Sequence, residues 1–316
     1  MARKVGVTVV GGGVVGLTTS LALAEAGYRV TCVRDVPATG TVSAVAGGLW
    51  FPYHVEPRDR VVGWGQEALA RFRGLVRERG AGVRMAEGVL VERGPADRWW
   101  THGVEGWREA APSELPEGAT GGVVAEVPLV TMPVFLPWLE KRCLAAGVVL
   151  EQARVDDLAD VTADVVVVAA GLRSGELVGD ASGRPSRGQV ALLSNPGLDR
   201  WLVDDDHPQG MVYALPHPGW VVCGGTDVEG SWDLDPDPGV HAAIVARVRA
   251  VVPELAGAEV LGARVGLRPI SPSVRLSRTT VRGRDVVTNY GHGGAGVTLS
   301  WGCAAEVVRL VGEVVA

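Results

Sequence analysis

The chain has 316 residues, of which 47% are hydrophobic and 21% are charged. This length fits one large domain or about two average ones, and the high apolar content excludes a disordered or collagen-like chain. The net charge of −6 and the scarcity of lysine, which occurs only at positions 4 and 141, argue against nucleic-acid binding. The apolar runs, such as 165–170, are far too short to span a bilayer.

The N-terminal residues and the four cysteines indicate the cellular compartment of the protein. Met-Ala-Arg-Lys leads directly into a predicted strand, without the charged, apolar and cleavage regions of a secretory signal peptide. The cysteines at positions 32, 143, 223 and 303 are scattered and include no Cys-x-x-Cys pair. We therefore expect reduced, buried thiols, no metal site and a cytoplasmic protein.

Residues 5–33 are predicted to form a strand, a helix and a second strand. The mostly apolar, β-branched run 5–10 is typical of a strand that is buried on both faces. The stretch 17–26 is rich in alanine and leucine, and Gly27 after it suits the end of a helix. With a second strand at 28–33, these elements make a βαβ unit.

The rest of the chain alternates between β-rich stretches and stretches that mix helix with strand. In chain order we predict a helix in 57–80, short strands across 83–130, a helix at 137–146, a buried strand at 164–169, short strands from 187 to 265, a strand at 286–288 and a glycine loop with a long helix over 290–314. Mixed stretches at the start, middle and end enclose the β-rich ones. We therefore expect one nucleotide-binding domain that is interleaved with a second domain.

The turn after the first predicted strand contains the motif Gly-x-Gly-x-x-Gly as Gly11, Gly13 and Gly16. These glycines allow a tight turn, close backbone approach to a pyrophosphate and close packing of the helix on the strand. The helix N-terminus offers unpaired N–H groups and a partial positive charge to the phosphates. Asp35 follows Gly16 by 19 residues, where an acid accepts hydrogen bonds from ribose hydroxyls. The sequence therefore predicts a dinucleotide site.

A second glycine loop, at 289–300, opens the last predicted helix. It adds a second set of backbone amides at a helix start. Such a site suits the flavin end of FAD, whose reduced form carries negative charge, and a nicotinamide cofactor needs it less. The two loops together favour FAD over NAD.

Several motifs along the chain carry a family resemblance. They are TVVGGGVVGL at 8–17, AGGLWFPY at 46–53, SRGQ at 186–189, Arg-Pro at 268–269 with Val-Arg-Leu at 274–276, and NYGHGG at 289–294 with WGCA at 301–304. With them the sequence resembles the D-amino-acid oxidases over nearly its whole length, and the last glycine signature is the most specific.

The resemblance implies an α/β fold in which a Rossmann-like FAD-binding domain is interleaved with an α+β substrate domain built on a large, mostly antiparallel sheet. We assign residues 1–55, 131–185 and 280–316 to the FAD-binding domain. Residues 56–130 and 186–279 are assigned to the substrate domain.

The activity that the resemblance implies is oxidative deamination with non-covalent FAD. A hydride passes from Cα of a D-amino acid to flavin N5, and the imino acid hydrolyses to a 2-oxo acid and ammonia. Oxygen takes up the electrons as hydrogen peroxide. The expected partners are a D-amino acid with a neutral or basic side chain and oxygen. Neither a nucleic acid nor a membrane is expected, and a homodimer is an additional expectation.

The resemblance also assigns roles to site residues. Arg275 matches the carboxylate clamp, for which arginine has the bidentate geometry. Tyr213 matches the tyrosine whose hydroxyl shares that carboxylate, and Gly294 matches the glycine whose carbonyl receives the amino group. Those three are the expected catalytic residues. The expected pocket residues are Tyr53, Leu49, Leu215 and Asp227.

The expected cofactor contacts follow both glycine loops and the strands between them. They are Gly11, Gly13, Val14, Val15, Gly16, Asp35, Thr41, Ser43, Gly47, Gly48, Val155, Gly291, Gly293, Gly294, Gly296, Val297 and Thr298. His292, within the second loop, is interpreted as a residue that orders the loop rather than as a catalytic base.

The sequence departs from the family pattern at two places. Gln209 stands where animal members carry a lid tyrosine, and the shortened segment 204–210 predicts an open site. Asp227 follows Gly-Gly-Thr where D-aspartate oxidases have an arginine, which argues against acidic substrates. Asp227 favours basic side chains if it faces the pocket, and otherwise it is a solvated loop acid.

Three alternative functions remain open at this point. A glycine or sarcosine oxidase would share the architecture. A nicotinamide-dependent dehydrogenase would share the first glycine loop. A non-catalytic nucleotide-binding protein would share the cofactor site alone. The C-terminus lacks a peroxisomal address of the Ser-Lys-Leu type, which again favours a cytoplasmic enzyme.

Overall fold

The computed structural model describes residues 4–52 and 54–315. Within these residues the helices are α1 (Val14–Glu25), α2 (Arg58–Leu75), α3 (Met132–Ala145), α4 (Ser174–Val178), α5 (Pro238–Val251) and α6 (Gly296–Val315). The strands are β1 (Gly6–Val10), β2 (Arg29–Arg34), β3 (Val83–Glu92), β4 (Arg108–Glu109), β5 (Gly121–Val130), β6 (Val149–Gln152), β7 (Val165–Val168), β8 (Arg184–Ser194), β9 (Trp201–Asp204), β10 (Val212–His217), β11 (Trp220–Gly224), β12 (Val228–Glu229), β13 (Val260–Val281) and β14 (Arg284–His292).

One end of the sheet is parallel and buried. β1 pairs with β2 and β7, β6 pairs with β2, and β14 pairs with β7, all in parallel. All four valines of β7 are fully buried, as expected for a strand that is covered on both faces. α1 packs against α3 and α6, and its N-terminus lies at the carboxyl end of β1.

The other end of the sheet is mostly antiparallel. β10 pairs with β9 and β11, β11 pairs with β8, and β8 pairs with β13. β3 pairs in parallel with β9 and antiparallel with β5, which continues the sheet outward. α5 covers one face of these strands, where Ile244 and Val248 pack with Val221 and Cys223. The opposite face borders the cavity described below.

β13 joins the two ends of the sheet. It is 22 residues long and pairs with β8 up to Ile270, whereas from Arg275 onward it pairs only with β14. The register shifts between Ile270 and Arg275. The strands of the predicted FAD-binding and substrate segments thus belong to one continuous sheet, and the domain boundaries themselves stay a prediction.

Three elements differ from the sequence predictions. The helix predicted at 137–146 begins earlier, at Met132, because Pro133 fits its first turn and Pro137 lies inside it. The stretch 83–130 contains two long paired strands, β3 and β5, rather than short ones. α5 lies where only strands are predicted, although Asp237 caps its first turn and Pro238 begins it.

The four cysteines are free and buried, which confirms that prediction. Burial raises the pKa of Cys32 to about 11, so its thiol stays protonated and unreactive at neutral pH.

Across the described ranges, no helix is both long and apolar enough to cross a membrane. In the same ranges, His, Cys, Asp and Glu form no group of three or more that could hold a metal ion.

We expect Gly302→Ala to lower the free energy of unfolding by about 1–3 kcal/mol, which is the usual cost of overpacking. Gly302 lies in α6, and a Cβ there would overlap the backbone of Trp64 in α2. Gly63→Ala is the matched control, because Gly63 also lies in a helix but has no atom near its Cβ position. Urea unfolding of both variants is the measurement. Equal stability of the two variants would contradict the close contact.

Candidate functional site

The first glycine motif forms the turn between β1 and α1. Gly11 has a φ of +127°, and a Cβ there would overlap the carbonyl oxygen of Ala169 just beyond β7. A Cβ on Gly16 would overlap the carbonyl oxygen of Gly11. The N–H of Val14 donates to Ser43 Oγ at 3.0 Å. The N-terminus of α1 therefore lies at the turn beside the Ser43 hydroxyl, and its dipole is available to a phosphate.

A cavity of about 740 Å³ extends from this turn to the antiparallel half of the sheet. Most predicted site residues line it, namely Gly11, Gly13, Val14, Val15, Asp35, Thr41, Ser43, Gly47, Gly48, Leu49, Val155, Tyr213, Leu215, Gly291, Gly293, Gly294, Gly296 and Val297. The predicted residues outside its lining are Gly16, Thr298, Asp227 and Arg275. Tyr53, a predicted pocket residue, lies outside the described residues.

Thr298 does not line the cavity but is hydrogen-bonded to Phe51, which does. Its hydroxyl accepts a hydrogen bond from the N–H of Phe51 at 3.0 Å and donates to the carbonyl of the same residue at 2.9 Å. Phe51 lines the cavity. Thr298 therefore fixes one wall of the cavity from the first turn of α6.

Asp35 lies at one end of the cavity, directly after β2. Its Oδ2 is 3.8 Å from Nη1 of Arg173, and its side chain is 45% exposed. Arg173 also donates to the carbonyl of Val155 at 2.9 Å. All three residues line the cavity. Asp35 keeps lone pairs available for the hydroxyls of a ribose at this end.

His292 lies in the second glycine loop and lines the cavity. Burial lowers the pKa of His292 to about 4, so its imidazole is neutral at physiological pH. Its Nε2 is buried and has no hydrogen-bond partner among the described residues. A buried polar atom without a partner in the wall of a cavity indicates a place where a ligand completes the hydrogen bonding.

Arg268 and Tyr213 lie together at the far end of the cavity. Nη1 of Arg268 donates to the carbonyl of Thr226 at 2.9 Å and lies 3.5 Å from Oδ1 of Asp227. The guanidinium covers Gly188, where a Cβ would come within 2.6 Å of it. Burial raises the pKa of Tyr213, and the charge of nearby Arg268 opposes this shift. Tyr213 therefore keeps its proton at neutral pH and acts as a hydrogen-bond donor.

Arg275, the predicted carboxylate clamp, is bound elsewhere. Its Nε lies 3.2 Å from Oδ2 of Asp180, and its Nη2 donates to Ser182 at 2.9 Å. The hydroxyl of Tyr290 donates to the same Asp180 oxygen at 2.8 Å. The physical reason is the register shift in β13, since beyond it the strand pairs with β14 and leaves the substrate half of the sheet.

Asp227 also lies off the cavity, behind Arg268. Its carboxylate accepts a hydrogen bond from the hydroxyl of Ser186 and faces the guanidinium of Arg268. Gln209, at the place of the family's lid tyrosine, is exposed and does not line the cavity. In the same short segment it is Asp205 that lines the cavity.

Arg268, Gly188 and Asp205 line the cavity and were not among the predicted site residues. A signal existed for two of them, because Arg268 and Gly188 belong to motifs that carry the family resemblance. Gly188 leaves the space in which the guanidinium of Arg268 lies. Asp205 is one of three consecutive aspartates, and no local pattern marks it.

The family model for FAD dependent oxidoreductases matches residues 6–310. The chain belongs to this family. D-amino-acid oxidase of Streptomyces coelicolor is 49% identical to it over 309 residues, which cover 96% of each chain. D-amino-acid oxidase of Rubrobacter xylanophilus is 44% identical and covers 96% of this chain and 95% of its own. A glycine oxidase structure from Geobacillus kaustophilus superposes with a TM-score of 0.82 at 21% identity, over 99% of this chain and 95% of the other.

The predicted fold and the predicted cofactor are confirmed by these findings, since the enzyme is an FAD-dependent oxidoreductase. Because this family uses FAD, the alternative of a nicotinamide-dependent dehydrogenase is excluded. The residues fit FAD on their own geometry. The N-terminus of α1 at Val14, the carboxylate of Asp35 and the unpartnered Nε2 of His292 line the same cavity. Non-covalent attachment stays a prediction.

We expect Asp35→Ala to weaken FAD binding about tenfold, because hydrogen bonds to a charged acceptor contribute roughly 1.5–3 kcal/mol and water replaces part of that. The measurement is flavin fluorescence during titration of the flavin-free protein. Asp160→Ala is the control, since Asp160 is exposed and outside the cavity lining. An unchanged dissociation constant for Asp35→Ala would show that this carboxylate does not hold the ribose.

Proposed function

We propose that the enzyme oxidises D-amino acids with neutral or basic side chains to 2-oxo acids, ammonia and hydrogen peroxide. The names of two relatives that are 44–49% identical support this reaction. The observation that carries the proposal for the site is the pairing of Arg268 with Tyr213 in the lining that also contains Gly294. A cytoplasmic location and a homodimer remain predictions.

Arg268 is the carboxylate clamp in this proposal, in place of Arg275. Its guanidinium is held by the carbonyl of Thr226 and by Asp227, so it is already oriented before substrate binds. The planar fork of arginine matches a carboxylate in a bidentate manner. Tyr213 adds a neutral O–H donor to the same carboxylate. The carbonyl of Gly294 receives the amino group of the substrate.

These contacts select the substrate's handedness. The carboxylate and the amino group are fixed at two points, so the positions of the side chain and the Cα hydrogen are interchanged between the two enantiomers. One enantiomer directs its Cα hydrogen toward the cofactor, and the other directs its side chain there. The two binding points, together with the face of the cofactor as a third, therefore discriminate between the enantiomers.

When bound, FAD would supply the acceptor for the hydride from Cα and the route by which two electrons reach oxygen. The substrate amine enters the step as the free base, and its lone pair forms the C=N bond as the hydride leaves. Water then adds to the imine, which releases ammonia and the 2-oxo acid. No protein base has to remove a proton from carbon. His292 is neutral and Tyr213 stays protonated, which agrees with roles in binding and orientation.

The proposed reaction predicts stereospecific bleaching of the flavin. We expect anaerobic mixing with D-valine or D-methionine to abolish the visible flavin absorption, and matched L-amino acids to leave it unchanged. The measurement is the absorption spectrum of the purified holoenzyme. Bleaching by glycine or sarcosine but by no larger D-amino acid would favour the glycine-oxidase alternative instead.

The clamp predicts opposite outcomes for two arginines. We expect Arg268→Lys to lower kcat/KM for D-valine about hundredfold, because lysine keeps the charge and loses the bidentate fork, which is worth roughly 1.5–3 kcal/mol. Arg275→Lys is the matched control, and steady-state oxygen consumption of both variants is the measurement. A large loss in Arg275→Lys with none in Arg268→Lys would restore Arg275 as the clamp.

A further inference from the structure

Asp205 lies directly after β9 and lines the cavity. Side chains alternate between the two faces of a strand. Val203 and Asp205 line the cavity, while Asp204 between them is fully buried on the other face. There Arg93 binds Asp204, with Nε to Oδ1 at 2.9 Å and Nη2 to Oδ2 at 2.7 Å. The neighbouring acid is therefore neutralised, and the structure shows no hydrogen bond or ion pair for the carboxylate of Asp205 within the described ranges.

Asp205 lies close to the proposed carboxylate site. β9 ends at Asp204, which pairs with Val212 next to Tyr213, and Asp205 is the first residue of the turn that follows. Asp205 and Tyr213 both line the cavity, and the charge of Asp205 helps to raise the pKa of Tyr213. The side chain of lysine or arginine is long enough to reach from a carboxylate held at Tyr213 to a neighbouring acid, whereas that of valine is not.

Arg268 forms no ion pair with Asp205 among the described residues, although its charge lowers the pKa of Asp205. The acid nearest to Arg268 is Asp227, at 3.5 Å, and Asp227 lies outside the cavity lining. Asp227, which the sequence suggested as a partner for a basic substrate side chain, is therefore already bound to Arg268 and Ser186. Asp205 is the acid that the cavity leaves available to substrate at this end.

We propose that Asp205 determines side-chain specificity: its carboxylate receives the ammonium or guanidinium group of a basic D-amino acid and disfavours an acidic one. This inference rests on the proposed function. It requires that the α-carboxylate binds at Arg268 and Tyr213, which leaves the end of the side chain to approach Asp205.

The charge on Asp205 depends on pH. Burial, followed by the charges of Asp206 and Asp204, raises the pKa of Asp205 to about 7, and the charge of Arg268 opposes this shift. The titratable and charged groups around Asp205 are these three and the neutral hydroxyl of Tyr213. Below pH 7 the carboxyl group is mostly neutral, and above pH 7 it is mostly charged. Attraction of a cationic side chain therefore grows as the pH rises through this range.

The test compares D-lysine with D-norleucine, which has the same chain without the ammonium group. The measured quantity is the ratio of their kcat/KM values at pH 8.5. We expect the ratio to fall at least tenfold in Asp205→Asn and to stay within twofold of the wild type in Asp206→Asn, whose side chain is exposed and outside the cavity lining. We also expect kcat/KM for D-glutamate to rise in Asp205→Asn.

A pH series adds a readout that a structural role would not produce. In the wild type the ratio should rise between pH 6 and 8.5, and in Asp205→Asn it should be flat, because the lysine ammonium stays charged throughout. Asp205→Ser repeats the test if the asparagine variant fails to retain FAD. An unchanged ratio in variants that oxidise both substrates overturns the role of Asp205 alone. Failure of the wild type to oxidise any D-amino acid overturns the proposed function itself.

Discussion

The site depends on glycines that let two stretches of backbone come into direct contact, because a Cβ at these positions would overlap the neighbouring chain. Gly11 lies against the chain just after β7, and Gly16 lies against Gly11. These contacts bring the N-terminus of α1 to the mouth of the cavity. At the far end, Gly188 leaves the space that the guanidinium of Arg268 fills. Glycine thus determines both how closely the α1 N-terminus approaches the cavity and where the guanidinium of Arg268 lies.

The sequence predicts those parts that short-range patterns determine. The βαβ unit, the glycine turn and Asp35 follow from apolar runs and from spacing within about 30 residues. The buried valine strand β7 is predicted within one residue at each end, because a strand covered on both faces is apolar throughout. The family and the cofactor follow from the same motifs, and both are confirmed.

Long-range pairing determines what the sequence could not predict. Arg268 and Arg275 both belong to β13, and only the register shift between them decides that the first meets Tyr213 and the second meets Asp180. Among the consecutive aspartates 204–206, the partner Arg93 comes from the distant β3 region and selects Asp204. No local pattern contains this information, so the choice of the available acid emerges only with the fold.

The unbroken strand β13 has a mechanical consequence. Because its backbone runs through both the parallel and the antiparallel half, neither half can swing open as a rigid body without breaking a ladder of hydrogen bonds. Substrate entry and product exit must then be accommodated by the chain segments around the cavity, such as 205–211, while the sheet stays still. The halves should also lose their structure together on heating, as one cooperative unit, in spite of their interleaved sequence.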